Sequence, residues 1–408
     1  MSESFEIPES AVGSLTGLAG LGGLGACLAL VVFLDIHAVA GLAMLLVCTA
    51  TPMWMLDRIR LDRAHQTAQA PLPAAEKRAR RQRRFRGLLL ACTPWLATLG
   101  LFDLFSPQSI VGFWQFLACL SPLVMAFLAY CVLADSSGEP GELEQLGHWV
   151  EQRKLGSPFP WGILRNQLVK AFFLPLMVAF ALDWLENIHR NLEIHSALSW
   201  YYVLLSLLYL VDTIYGTVGY LSTSRYIDAQ IRSSDSTLKG WAVALVCYPP
   251  IFPLLGAAGF RYPNHATWTH WLVPHGALTF LWGGAILALT FVYAWATVSF
   301  GPRFSNLTNR GIVTCGPYRY LKHPAYLSKN LSWWLMSMPF LSQNRATALR
   351  QCLVLLTINL IYWLRAKTEE LHLLHDPAYR TYASWIDGHG LWAMLKRRQP
   401  RHLYGQPD

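Results

Sequence analysis

The sequence is poor in charge. Asp, Glu, Lys and Arg together make up 14% of its 408 residues, against about a quarter in ordinary soluble domains. A chain this long with so little charge cannot cover a water-facing surface. That excludes a soluble globular enzyme, a disordered chain and a collagen-like fibre. The sequence also lacks any C-x-x-C pair, so neither a zinc knuckle nor a thioredoxin-like motif is supported, and no metal site is implied. Cys27, Cys48, Cys92, Cys119, Cys131, Cys247 and Cys352 sit in apolar runs and read as small apolar filler, while Cys315 lies in a loop. No G-x-G-x-x-G nucleotide fingerprint occurs. The first residues are acidic rather than basic (Glu3, Glu6, Glu9), so no secretory signal is expected and the first apolar segment is read as retained.

What the chain has is apolar length. Hydrophobic residues make up 53%, and mean hydropathy is +0.30. A membrane span needs about 20 apolar residues. Candidate spans fall at 11–33, 35–56, 87–105, 109–134, 167–185, 198–221, 241–260 and 274–300. Two shorter stretches, 327–341 and 350–364, read as a helical hairpin that does not fully cross. The expected fold is all-α: a polytopic integral membrane protein of about ten helices, the last two forming a C-terminal hairpin. Its divisions are a four-span region 1–134, a polar loop 135–166, a central four-span region 167–300 and a C-terminal region 301–408.

Charge orients the spans. Lys and Arg total 33 against 24 Asp and Glu, a net +9. Ten basic residues crowd into 57–86, from Arg58 to Arg86, and such segments stay on the cytoplasmic side. Counted from there, 135–166, 222–240, 301–326 and 365–408 share that side, and both termini are cytoplasmic. The host membrane is left open, bacterial inner membrane or endomembrane. Gly13 and Gly17 have G-x-x-x-G spacing, read as close intramolecular helix packing. Residues 143–154 suggest a short surface helix. Charges inside spans are expensive; Asp212, near the middle of its span, is the most conspicuous. Pro249, Pro250 and Pro253 should kink or break the seventh span.

One polar stretch beside the apolar runs carries chemistry: Arg310-Gly311-Ile312-Val313-Thr314-Cys315-Gly316-Pro317-Tyr318-Arg319-Tyr320-Leu321-Lys322-His323-Pro324-Ala325-Tyr326. Further on, a helix ends in Arg365-Ala366-Lys367-Thr368-Glu369-Glu370. Arg365 and Glu369 are four apart and share a helix face. The apolar hairpin between the two segments can return both to one mouth. Aromatic rings suit a cation, a carboxylate accepts from hydroxyls or an ammonium, and Arg365 can clamp an anion.

The two motifs, in this order and flanking a hairpin, resemble the isoprenylcysteine carboxyl methyltransferase and phospholipid methyltransferase superfamily. The likeness covers 300–386, including Asp376-Pro377-Ala378-Tyr379-Arg380-Thr381-Tyr382. It implies an integral membrane enzyme that uses S-adenosylmethionine. It implies that Arg310, Gly311, Ile312 and Val313 line the cofactor pocket and that Tyr318 lies against the cofactor. His323, Pro324, Ala325 and Tyr326 would form a second cofactor-binding element, Glu369 and Glu370 would hold a polar group of the cofactor, and Arg365 would face the substrate. The acceptor would be lipid-like, prenylated or a thiol, met at the cytosolic membrane face, with no nucleic acid involved. The sequence departs from the family pattern at Lys322, where Arg is usual, and at Ser328, where Gly is common. The alternatives are an NADPH-dependent sterol-type reductase, whose terminal His-Pro-Tyr region is similar, and a non-enzymatic transporter or scaffold.

Overall fold

A computed structural model describes residues 6–62, 73–133, 140–152, 158–255, 267–273, 276–341 and 344–396. The described residues are predominantly helical, as expected. The four-span front comprises α1 (Ser14–Phe33), α2 (Ala38–Asp62), α3 (Ala74–Phe105) and α4 (Val111–Leu133). A short α5 (Glu142–Gln152) precedes α6 (Trp161–Leu192) and α7 (Ala197–Leu221). Three short helices follow, α8 (Leu238–Leu245), α9 (Ile251–Leu255) and α10 (Trp268–Leu272), and then α11 (Ala277–Phe300). The C-terminal region holds α12 (Pro324–Ser337), α13 (Arg345–Leu373), α14 (Pro377–His389) and α15 (Leu391–Lys396). The strands β1 (Ser233–Ser234) and β2 (Thr308–Asn309) pair antiparallel, Ser233 opposite Asn309.

Eight of the described segments are long and apolar enough to cross a membrane: those of α1, α2, α3, α4, α6, α7, α11 and α13. The main core lies where α2, α6 and α7 meet, with Leu42, Leu45, Met53, Phe173, Leu185, Leu210 and Tyr215 buried. Leu15, Phe127, Leu281 and Leu360 point outward, a bare apolar exterior that only hydrocarbon suits.

Glycines bring the helices close. A Cβ on Gly17 would lie 2.2 Å from the Val298 carbonyl oxygen of α11, and one on Gly23 2.0 Å from that of Cys48 in α2. Gly17 and Gly23 thus serve packing within the chain, whereas Gly13, the other member of the G-x-x-x-G pair, meets only Thr16.

Three expectations need correction. The basic run is not a loop: α3 starts at Ala74, well before residue 87. Its arginines are stabilised by α5, where Glu144 meets Arg80 at 3.4 Å and Arg84 at 3.7 Å, and Glu151 meets Arg83 at 2.8 Å. The pairing is close because both helices carry a glycine at the contact: a Cβ on Gly147 would meet the Arg83 carbonyl oxygen at 1.7 Å. Second, 241–260 is no continuous span. Helix α8 ends at Leu245 and α9 is a short helix over Ile251–Leu255, with Pro249 and Pro250 between them supplying no backbone donors. Residues 256–266 lie outside the described residues. On either side of them, Trp241 donates to the Asp235 carbonyl beside β1, and Trp268 of α10 packs edge-on to Tyr201 at the start of α7. Third, the second helix of the hairpin is longer than read. Helix α13 has 29 residues, about 43 Å at 1.5 Å per residue, enough to cross.

α7 and α11 end on the same face, since Gly219 lies against Phe304. The N-terminal segment joins that face: Ala11 N–H donates to the Ile312 carbonyl at 2.8 Å. So do α14 and α15, where Leu391 N–H donates to the Tyr320 carbonyl. Both ends of the described chain therefore share one face with residues 301–326. A buried ion pair locks this face together. Arg303 meets Asp57 at 2.6 Å and donates to the Ile227 carbonyl at 3.0 Å, while Thr16 donates to Asp57 at 3.0 Å.

The glycine contacts make a controlled prediction. Gly17→Ala and Gly23→Ala should each lower stability in detergent by about 1–3 kcal/mol through overpacking. Gly22→Ala, which meets nothing within 4 Å, should be neutral. Thermal unfolding of the three variants checks this, and equal melting temperatures would contradict it.

Candidate functional site

The loop from α11 to α12 is fixed before it reaches the site. Arg310 is buried, and its guanidinium donates to the carbonyls of Gly219 at 2.7 Å, Phe304 at 2.9 Å, Ser222 at 3.2 Å and to that of Ala229. Burial, with Arg303 nearby, pushes its ionisation down to about 9, so it still carries its charge at neutral pH. Gly311 has φ +101°, and a Cβ there would meet Ala11 at 2.6 Å; only glycine suits that position. Gly316 has φ +60°, and a Cβ would meet Ser299 Oγ at 2.2 Å. Tyr382 donates to the Tyr318 carbonyl at 2.6 Å, and Asn309 donates to Asp376 at 2.7 Å. The trailing Asp-Pro-Ala-Tyr segment therefore braces the loop from α14. Pro324, at the first position of α12, sets the turn into the helix.

Between α7, α11, α12 and α13 lies a cavity of about 80 Å³. Tyr326 and Lys329 of α12 face Tyr362, Arg365 and Glu369 of α13 across it. Asp212 of α7, Tyr293 and Thr297 of α11, Tyr248, Asn306 and Tyr318 complete the wall. A smaller space of about 30 Å³ beside Asp235 and His372 shares Tyr326, Arg365 and Glu369. On the other side of His323 and Tyr326 an open groove of about 470 Å³ runs between α12, α13 and the α14–α15 segment, past Leu327, Trp363 and Trp392.

Tyr326 donates to Glu369 at 2.8 Å, and the His323 ring stacks on it at 5.4 Å and 4°. Among the described residues nothing else donates to Glu369, so its second oxygen is available. His323 Nε2 lies 3.0 Å from Glu370, which also accepts from Lys367 at 2.9 Å. Arg365 is buried; it donates to the Asn306 side chain at 2.5 Å and lies over the rings of Tyr326, Tyr362 and Tyr248 at 5.2–5.9 Å. Tyr318 packs edge-on to Phe300 at 5.0 Å; burial, with Glu369 beside it, holds its phenol protonated far above the ordinary range.

The structure thus brings Tyr318, His323, Ala325, Tyr326, Arg365 and Glu369 to one cavity, with Glu370 on the adjoining groove. Pro324 is buried at the helix start. Arg310, Gly311, Ile312 and Val313 line none of these spaces. Ile312 packs on Tyr379 and Tyr382, and Val313 on Val12 and Tyr318, so their side chains shape the loop and do not reach the cavity. The departures from the family pattern are also explained. Lys322 pairs with Asp387 at 2.6 Å, and the Ser328 hydroxyl is satisfied by the Pro324 carbonyl at 2.8 Å. Sequence reading missed Tyr248, Tyr293, Asn306, Lys329 and Tyr362. Two of them had a signal: Lys329 lies three residues after Tyr326, and Tyr362 three before Arg365, each on the face of its helix that meets the site.

Asp212 stands at the inner end. Thr297 donates to one of its oxygens at 2.5 Å and Tyr293 to the other. Asp212→Ala would leave both hydroxyls without their acceptor. We expect a loss of about 2–5 kcal/mol in unfolding stability, partly recovered by Asp212→Asn. Melting temperatures in detergent measure it, and an unchanged value for the alanine variant would show the cluster to be dispensable.

Comparison with known proteins converges on the same segment. Residues 277–375 match the model of the Isoprenylcysteine carboxyl methyltransferase (ICMT) family. No curated protein and no solved structure matches the chain. The matched residues begin at α11 and end two residues beyond α13, so they include Tyr326, Lys329, Tyr362, Arg365 and Glu369. The C-terminal region of this multi-helix membrane protein carries the similarity to the isoprenylcysteine carboxyl methyltransferase family that its motifs led us to expect, and the match supports a membrane methyltransferase.

Proposed function

We infer that the chain is an S-adenosylmethionine-dependent methyltransferase that modifies a lipid-like or prenylated acceptor at the cytosolic membrane face. The observation that carries this reading is the pairing of Arg365 and Glu369, one turn apart on α13, opposite Tyr326 in one cavity within the family-matched residues. The side chains present suit the polar end of the cofactor: Glu369 keeps an open carboxylate oxygen, and tyrosine rings surround it.

When bound, S-adenosylmethionine supplies a methyl group already activated on a sulfonium. The residues then need only bind and align, because orientation alone accounts for much of such a rate. Glu369, oriented by Tyr326, accepts from a hydroxyl or ammonium of the cofactor. Tyr326 and Tyr318 offer ring faces to a cation. His323 and Glu370 hold each other and keep Tyr326 in its stacked position. Arg365, whose buried charge has no carboxylate partner among the described residues, receives the acidic group of the acceptor. The open groove beside α12 and α13, bordered by Leu327, Trp363 and Trp392, suits the acceptor's apolar tail. The bias of Lys and Arg toward this side supports a cytoplasmic location for this face and for both termini.

A split in steady-state constants tests these assignments. With tritium-labelled methyl donor and N-acetyl-S-farnesylcysteine as acceptor, Glu369→Ala should raise the donor KM at least about tenfold, the loss of a charge-assisted hydrogen bond. Arg365→Ala should raise the acceptor KM by a comparable factor and leave the donor KM near wild type. Equal effects of both variants on both constants would refute the division of roles. No transfer to any amphiphilic acceptor by the wild type would refute the function.

A further inference from the structure

We propose that Asn330 is a specificity residue for the acceptor's tail, and that the tail it selects is an acyl chain, whose ester or amide carbonyl accepts from the Asn330 side chain, and not a bare polyprenyl chain. The proposal rests on the methyltransferase reading and deepens it, because it names the kind of lipid that the groove beside α12 and α13 takes.

The groove is charged at its mouth, where Lys367 pairs with Glu370 at 2.9 Å, and aromatic below it, where Tyr326, Tyr362 and Trp363 line it. Its lining also includes two amides, Asn330 of α12 and Asn359 of α13. Asn330 comes four residues after Tyr326, about 6 Å further along its helix, and Asn359 comes eleven before Glu370, about 16 Å along its own. Both therefore lie on the membrane side of the mouth, where a polar side chain needs a partner.

Trp334 fixes which way the two amides point. An indole can only donate, and Trp334 Nε1 meets Asn359 Oδ1 at 2.8 Å. Asn359 Nδ2 is thereby turned to Asn330 and donates to its Oδ1 at 3.0 Å. Asn359 has both ends of its amide engaged. Asn330 has only its oxygen engaged, and its Nδ2 has no acceptor among the described residues. The pair ties α12 to α13, and that tie does not use the Asn330 N–H groups.

A donor without an acceptor takes water or a ligand oxygen. Water can enter the open groove, but a lipid chain lying there displaces it. A hydrocarbon chain offers no hydrogen bond in return and strands the N–H groups in apolar surroundings. An acyl carbonyl replaces the bond that the water made. The amide thus selects by the penalty it places on the wrong chain as much as by the bond it offers the right one.

A lipid pair that differs by one carbonyl tests this. The probes are 1-monopalmitoylglycerol and its ether analogue 1-O-hexadecylglycerol, both neutral, in equilibrium binding to the detergent-purified full-length chain. The wild type should bind the ester about fivefold tighter than the ether. Asn330→Leu should bring the two within about twofold by weakening the ester alone. Asn359→Leu breaks the same interhelical hydrogen bond but leaves the Asn330 N–H groups in place, so it should keep the ester preference. A wild type that binds neither lipid or shows no preference, a preference that survives Asn330→Leu, or one lost equally in Asn359→Leu would overturn the proposal. The wild-type comparison decides even where a variant fails to fold. Titration of the same preparations with S-adenosylmethionine separates this failure from that of the enzyme reading. Donor binding without an ester preference removes the role of Asn330 alone; an ester preference without donor binding keeps the lipid site and removes the methyltransferase.

Discussion

A charge held among apolar helices must be met by an opposite charge or by hydrogen bonds, and that requirement organises this molecule. The chain has few charges, and most of those it buries are answered. Asp57 meets Arg303, with Thr16 as a further donor. Arg310 is surrounded by four backbone carbonyls. Glu144 meets two arginines of α3. These contacts tie α1, α2 and α7 to the loop after α11, so the polar face behaves as one braced unit. Arg365 and Lys329 form no salt bridge among the described residues; they share a cavity with Asp212 and Glu369 and lie against aromatic rings, and Arg365 donates to one amide oxygen. A cavity that gathers cations and carboxylates between apolar helices marks where chemistry with an external partner is to be expected.

The bracing explains how a polar pocket can sit beside hydrocarbon without collapsing. Residues 8–11 run along 312–315, where Thr314 donates to the Pro8 carbonyl and its N–H to Ser10. Arg60 holds the same N-terminal segment through the carbonyls of Ser10 and Ala11. From the other side α14 packs Tyr379 and Tyr382 on Ile312. The loop that delivers Tyr318, His323 and Tyr326 is thus fixed from both ends of the chain. Preorganised donors and rings of this kind need no rearrangement when a substrate arrives.

Much of this was legible in the residues. Apolar run lengths gave the all-α membrane fold, and helical spacing put Arg365 and Glu369 on one face. The motif from Tyr318 to Tyr326 does return to that face. What the sequence hid follows from physics that acts between distant residues. A run of arginines reads as a loop until α5 supplies the acids that let it continue as helix. Pro249, Pro250 and Pro253 announced a break, but a window of apolar residues cannot say where the helices on either side stop. The resemblance put Arg310 in the cofactor pocket, whereas its guanidinium is spent on carbonyls of α7 and the following turn. Tyr248, Tyr293 and Asn306 come from other segments and had no local signature. Lys329 sat within an apolar helix, where a single cation reads as an interfacial anchor until the cavity beside it is seen.

Under the proposed function, the polar cavity of this membrane protein receives a methyl donor and not a nicotinamide. Calorimetric titration of the detergent-purified wild type with S-adenosylmethionine, with NADPH in parallel, tests it most directly. Saturable binding of S-adenosylmethionine near one equivalent, with no heat from NADPH, is the predicted result. Saturable binding of NADPH alone would contradict it and move the chain to the membrane reductases.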